Sequence, residues 1–462
     1  MSIPDEHKTR HIYQFTHLDN LPDILQHGLL SYNEKERRGI SHISIASSSI
    51  QDRRAVMDVS VGPGGVVHNY VPFYFCSRSP MLLSVVNAKN VDQLYLLYLG
   101  VPIDVLTLPK AVFTNASANT AVPPTFYSDP SDLVNLDWAN IDSKKWGSPS
   151  DDARHARMAE ALIHRRLKVS KIDHIIVWND MVKEKVEEIY AEADIDPPAI
   201  VFDGHRGRHF YYINFYDKGG RVSIVTGPIC LRNQYEAAAK EVMETRSEES
   251  PDEAMFDSIE DAVDELDDDF CALPELAEIN DLPTANQEHR EDVGAHTRTV
   301  VDKLRNSDLF EALSDREKVL VEFAAYLHDI GKGKSPRDDQ GRQRVDADHP
   351  ARAISLVQRI LTEDIETIDE EEVRQIILLV AYHDLIGDIL GKGRDRQQLL
   401  DVIECAEDFD MLAALNCADV ESLIPEGGLA RMISSHPGWL ERIKAGLPDL
   451  REWTLENLED EE

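Results

Sequence analysis

A chain of 462 residues, 42% hydrophobic and 29% charged, has room for two or three domains with sizeable cores. No stretch approaches the roughly 18 consecutive apolar residues of a membrane helix. Residues Met1-Ser2-Ile3-Pro4-Asp5-Glu6-His7-Lys8 lack the apolar region of a signal peptide, and five scattered cysteines without a CxxC pair fit free thiols in a reducing cytoplasm. The net charge of −37 is uneven: residues 1–232 hold 25 Lys+Arg against 27 Asp+Glu, and residues 233–462 hold 23 against 58. The first half can therefore approach a polyanion, whereas the second repels one unless metal ions offset its charge.

In chain order, the first half reads as mixed α and β. A helix is expected over 21–26, stopped by Gly28, with strands over 71–76 and 94–99. A helix over 153–167 would carry Arg154, Arg157, Glu160, Arg165 and Arg166. A strand at 174–178, a helix at 181–190, and strands at 199–202 and 209–213 follow. Residues 241–292 carry 20 acidic and two basic residues, the composition of a solvated linker. Met255, Phe256, Ile259, Val263, Leu266 and Phe270 nevertheless recur at helical spacing, as in a short amphipathic docking helix. The second half reads as all-helical. Ser314-Asp315-Arg316-Glu317 is a capping-box pattern opening a helix that ends near Gly331. Further helices are expected over 370–385 and 395–423. The expected domains are 1–232 (α+β), an acidic linker at 233–284, a helical bundle at 285–448 and an acidic tail at 449–462.

In the first half, three stretches stand out: Ile12–Leu21; Ser44–Arg54 continuing through Pro63–Met81; and Arg154–Leu162. Together they resemble the DarT family of DNA ADP-ribosyltransferases over roughly residues 11–230. The resemblance implies an ADP-ribosyltransferase fold that takes NAD as substrate and modifies a base in single-stranded DNA. It places Glu160 as the catalytic glutamate and Arg54 as the catalytic arginine. Gln14, Thr16, His17 and Asn20, together with Arg54, fall in the NAD-lining segments. Departure of nicotinamide builds positive charge on the ribose, which a carboxylate stabilises, and an arginine suits a pyrophosphate. Gln14 stands where family members can carry His, and Phe113-Thr114-Asn115-Ala116-Ser117 departs from the family pattern in the segment facing the base. Thymine is the first choice of target and guanine the alternative.

In the second half, the order His296, His328-Asp329, His349, His383, Asp419 resembles the HD-domain metallohydrolases. Imidazole nitrogens and carboxylates suit one or two water-activating divalent ions, from Mn, Fe, Mg, Ni or Zn. Asp384 is an alternative to His383 as the inward residue. Lys332, in His328-Asp329-Ile330-Gly331-Lys332, can offset phosphoryl charge. The resemblance implies phosphomonoester or phosphodiester hydrolysis, acting on a nucleotide or on the ADP-ribose adduct. A bifunctional toxin or phage-defence enzyme results, with an antitoxin as a candidate partner and no membrane. The alternative is a phosphohydrolase whose first domain only binds DNA or nucleotide.

Overall fold

The computed structural model describes residues 2–45, 48–120, 123–203, 210–213, 224–248, 253–286, 291–424 and 435–459. The chain divides into two compact units, Met1–Ile213 and Asn214–Glu462.

The first unit is built on an eight-stranded sheet. Its strands are β1 (His11–His17), β3 (Tyr70–Tyr74), β4 (Leu96–Pro102), β5 (Ala111–Thr114), β6 (Phe126–Tyr127), β7 (Glu160–His164), β9 (His174–Val177) and β10 (Ala199–Phe202). A two-stranded ribbon joins β2 (Leu29–Leu30) to β8 (Arg166–Leu167). The sheet order is β10-β9-β4-β1-β3-β7-β5-β6, antiparallel throughout except for the parallel β9–β10 pair. β4 is apolar over nearly its whole length and buried at Leu96, Leu97, Tyr98, Leu99 and Val101, as a strand covered on both faces must be. A helix at Leu21–His27 ends before Gly28, and another runs Asp180–Glu192, close to the expected elements. Of the strand expected at 209–213, His209 lies outside the described residues and 210–213 form no strand.

One expected helix is absent. The Asp151–Arg157 helix stops after two turns, and Glu160 opens β7. Ala161, Leu162 and Ile163 are fully buried against β3 and β5. That β-rich tertiary setting outweighs the helical propensity of an Ala- and Arg-rich segment. Arg154 and Arg157 therefore stay on the short helix, and Arg165 and Arg166 lie off it. Arg157 is buried and donates to the carbonyls of Trp146 and Ser143, while Arg165 pairs with Glu34.

The second unit is helical among its described residues, and it begins earlier than the charge pattern suggests. The expected boundary at 232 and acidic linker at 233–284 are corrected by helices at Pro228–Glu248, Ile259–Asp268 and Pro274–Ile279. Leu231, Tyr235, Val242, Phe256, Ile259, Leu266 and Leu276 all join the core of this unit. The apolar stripe outweighs the surrounding charge because only one face need be buried. Arg359 gathers Glu275 and Asp364, and Arg305 gathers Asp267, so some of the acidity is neutralised locally. The expected acidic tail is likewise corrected: residues 449–459 finish the His436–Glu459 helix, with Leu450 and Thr454 buried.

The capping box forms as expected, Ser314 Oγ accepting from Glu317 N and Glu317 Oε2 from Ser314 N. The helix runs Asp315–Leu327. Glu370–Tyr382 follows with His383 at its C-cap. The helix expected over 395–423 is two, Gln397–Leu400 and Ala406–Ser422, with the break at Asp401–Cys405. No described helix is long and apolar enough to cross a membrane.

Candidate active sites

In the first unit a cavity of about 1110 Å³ lies against the sheet. β1 contributes Gln14 and Thr16, β3 contributes Tyr74, and the Ser48–Val56 helix contributes Arg53 and Arg54. Asn20 also lines it. Its amide bonds to Thr16 Oγ1 at 3.1 Å and to both backbone groups of Ile43 at 3.0 and 2.9 Å, pinning the 40–45 loop to the end of β1. His17 does not line the cavity. It caps the turn that follows β1, accepting from Asp19 N.

Adjacent helical residues point about 100° apart, and Arg53 is exposed where Arg54 is 8% exposed. Arg54 Nη1 donates to Glu160 Oε1 at 2.9 Å. The same oxygen accepts from Ala118 N at 2.9 Å. Glu160 stands opposite Tyr74 in the β3–β7 register, so both side chains share the cavity-facing side. Glu160 itself is fully buried behind Arg54, and its Oε2 has no hydrogen-bond partner. Burial disfavours the Arg54 charge, but the adjacent Glu160 carboxylate outweighs it and holds the Arg54 pKa above the ordinary value.

The segment Phe113–Ser117 wraps this pair. Thr114 Oγ1 accepts from Glu160 N, and Ser117 N donates to the His155 carbonyl. Asn119, Thr120, Arg154 and His155 line the cavity beside it. Gln14 Oε1 is buried without a partner, an acceptor open to a ligand donor. Sequence reasoning missed Lys35, His68 and Tyr74. Burial pulls the Lys35 pKa down to about 8. No motif marks Lys35, whereas Tyr74 was visible only as part of a strand.

In the second unit six expected ligands converge from three helix ends and two helix interiors. His328 and Asp329 follow the Asp315–Leu327 helix, and His349 opens the His349–Glu363 helix. His383 caps Glu370–Tyr382, while His296 and Asp419 lie within Val293–Arg305 and Ala406–Ser422. Gly331 permits the junction, since a Cβ there would overlap the His349 carbonyl.

Each imidazole is oriented from behind. His328, His349 and His383 place Nδ1 at 2.7, 2.9 and 2.8 Å from the carbonyls of Ala325, Asp346 and Val380. A carbonyl only accepts, so each Nδ1 carries hydrogen and each neutral Nε2 a lone pair. Ser422 Oγ donates to the Asp419 carbonyl and thus accepts from His296 Nδ1 at 3.1 Å. Forward, His349 Nε2 and His383 Nε2 face each other at 3.3 Å, an arrangement that repels unless a cation intervenes. His296 Nε2 lies 3.1 Å from Asp419 Oδ1, and Asp329 Oδ1 lies 3.5 Å from His349 Nε2. The donors form two groups, His296–His328–Asp419 and Asp329–His349–His383. His328 Nε2 and Asp329 Oδ1 are buried without hydrogen-bond partners.

These residues fit one or two divalent ions. Asp384 Oδ1 sits 3.6 Å from His383 Nε2 and is partly exposed, so His383 is the inward residue. Lys332 Nζ donates to Asp329 Oδ2 at 2.6 Å. Burial works against the Asp329 charge, yet Lys332 and His328 hold its pKa far below the ordinary carboxylate value.

Comparison with known proteins matches both units of the chain. Residues 13–212 match the family described as ssDNA thymidine ADP-ribosyltransferase, DarT, and residues 287–415 match the HD domain. A DNA ADP-ribosyl transferase of Thermus sp. (strain 2.9) is 35% identical over 185 residues, covering 38% of this chain and 86% of that protein. One of Thermus aquaticus is 33% identical over 195 residues, 41% of this chain and 85% of its own. A solved structure, Thermus sp. 2.9 DarT in complex with ADP-ribosylated ssDNA, aligns at 31% identity and a TM-score of 0.40 over 46% of this chain and 99% of that one. The chain therefore belongs to the DarT family, its ADP-ribosyltransferase region being fused to an HD domain.

Proposed function

We propose that the first unit transfers ADP-ribose from NAD to a base in single-stranded DNA, with thymine as the preferred target and guanine as the alternative. The observation that carries this reading is Glu160, a buried carboxylate with one oxygen held by Arg54 and Ala118 and the other uncommitted. As nicotinamide leaves, that carboxylate stabilises the cationic ribose and accepts from a ribose hydroxyl. Arg54 fixes its orientation and balances its charge. Gln14, Thr16 and Asn20 contribute polar groups to the cavity wall.

The test is transfer from labelled NAD onto single-stranded oligonucleotides each lacking one base. Loss of label only without thymine supports the reading; loss only without guanine selects the alternative. No label on any oligonucleotide favours a second reading, a first unit that only binds DNA or nucleotide. The complete burial of Glu160 behind Arg54 is the observation on that side, since a purely structural ion pair looks the same.

For the second unit we propose metal-dependent hydrolysis of a phosphate ester, in a nucleotide or in the ADP-ribose adduct. Divalent ions held by His296, His328, Asp329, His349, His383 and Asp419 would supply a water nucleophile at neutral pH. Lys332 offsets phosphoryl charge next to them. A toxin or phage-defence role joins the two activities, the second limiting the damage done by the first. Replacing His328 and Asp329 with Ala should then make expression more toxic only while Glu160 is intact; unchanged toxicity refutes the link.

A further inference from the structure

A third group of donors lies in the first unit, outside the lining of its cavity. His11 opens β1, and Asp173 and His174 stand at the start of β9. These strands are not neighbours, because β4 lies between them. Two strand spacings, about 9–10 Å, must be bridged. The bridge exists because β4 carries Gly100 at that level, opposite Tyr13 of β1 on one side and His174 of β9 on the other. A Cβ at position 100 would overlap the His174 ring. A glycine in a strand interior gives up packing and backbone entropy, and often marks a close approach. Here it lets an imidazole lie across the strand.

The His174 and His11 rings meet edge-on, centroids 4.9 Å apart, and Tyr13 packs 6.2 Å from His174. Asp173 Oδ2 lies 3.1 Å from His11 Nε2 and 3.1 Å from His174 Nδ1. One donor atom of each residue lies within 4.8 Å of the other two. Ligands about 2.0–2.1 Å from a tetrahedral Zn²⁺ are about 3.3 Å from one another. The two 3.1 Å separations are close to that edge length. The side chains are 28%, 53% and 17% exposed in the order His11, Asp173, His174, so an ion can enter from solvent.

We propose that His11, Asp173 and His174 bind one divalent transition-metal ion, Zn²⁺ being the best match to two imidazoles and a carboxylate, with a fourth position open to water. The ion ties β1 to β9 across β4. Its His11 end lies three strand residues, about 10 Å, from Gln14, and the role of the ion is structural.

The full-length protein is stripped with chelator, reloaded with Zn²⁺, desalted and analysed for bound metal, in parallel with His11→Gln, Asp173→Asn and His174→Gln. Each variant should hold one Zn²⁺ fewer per chain than the parent, whatever the HD ligands retain. Co²⁺ loading should show a tetrahedral absorption band that each variant diminishes. All three changes are at partly exposed side chains, so folding can be checked by circular dichroism. Equal Zn²⁺ content in the parent and in every folded variant overturns the proposal and leaves a hydrogen-bonded His-Asp-His cluster. Gly100→Ala should also lose the ion with all three ligands intact; retention of Zn²⁺ by a folded Gly100→Ala protein contradicts the bridging geometry.

Discussion

The two principal sites of this chain are built in opposite ways. The cavity in the sheet unit depends on a single buried ion pair between residues 106 positions apart, held by a loop, a strand and a helix. The histidine cluster draws six donors to helix ends and interiors, and three of its four imidazoles are oriented by backbone carbonyls three residues upstream, the fourth by Ser422. One site therefore relies on tertiary structure for its chemistry, and the other largely on local helix-end geometry. The first should fail abruptly when one partner is lost, the second in steps.

The most abrupt failure is expected at Arg54. Arg54→Ala leaves the buried Glu160 carboxylate unpaired, a change that typically costs about 3–5 kcal/mol. Transfer onto single-stranded DNA should vanish and the first unit should melt earlier, whereas exposed Arg53→Ala should shift stability by less than about 0.5 kcal/mol. Equal effects of the two changes in a melting and transfer series would break the contrast. Glu160→Gln keeps the shape and removes the charge. Transfer should fall by about 10²–10³-fold while the fold and the metal content of the second unit stay as they were. Full transfer in that variant would take Glu160 out of the mechanism.

Graded failure is the expectation for the cluster. Ser422→Ala removes the acceptor behind His296 Nδ1, and loss of such an outer partner typically weakens metal affinity by about 10–100-fold. Competition against a chromophoric chelator measures it; unchanged affinity would mean that His296 orients without help. The smallest effect is on pH. Burial opposes charge on His328, but Asp329 and Asp419 raise its pKa above 6.5. In the metal-free fold this protonation adds stability that is fully present below about pH 6.5 and lost as pH rises through the raised value. An ion must displace that proton, so its affinity should weaken by up to about tenfold per pH unit on acidification. A flat affinity between pH 8 and 6 would argue against ligation by His328 Nε2.

The same contrast explains what could be read in advance. All six cluster residues were visible because each lies in a short helical setting and their order is distinctive. Arg54 was separable from Arg53 only through resemblance, and the inward direction emerged with the Arg54–Glu160 bond. Glu160 was expected on a helix, because the Ala- and Arg-rich run from 153 favours one locally. Pairing with β3 and β5 makes it a strand instead. The Asn20–Ile43 clamp left no signal, since a loop closing over a cavity has no periodicity, and Lys35 sits on the Tyr32–Arg38 helix with no motif around it. The acidic stretch reads as a solvated linker on its total charge alone, whereas the apolar face at Phe256, Ile259, Val263 and Leu266, legible in the sequence as an amphipathic helix, packs into the core.

That packing makes the second unit a spring loaded with its own charge. Residues 233–462 hold 35 more acidic than basic side chains, and folding brings much of this charge together where an unfolded chain would spread it apart. Added salt shortens the range of that repulsion, with a Debye length of about 10 Å at 0.1 M and about 3 Å at 1 M. The nearly neutral first unit has little such tension to release. Melting in rising sodium chloride should therefore lift the transition of the helical unit more than that of the sheet unit, and in low salt the helical unit should be the more easily unfolded for reasons that lie entirely on its surface.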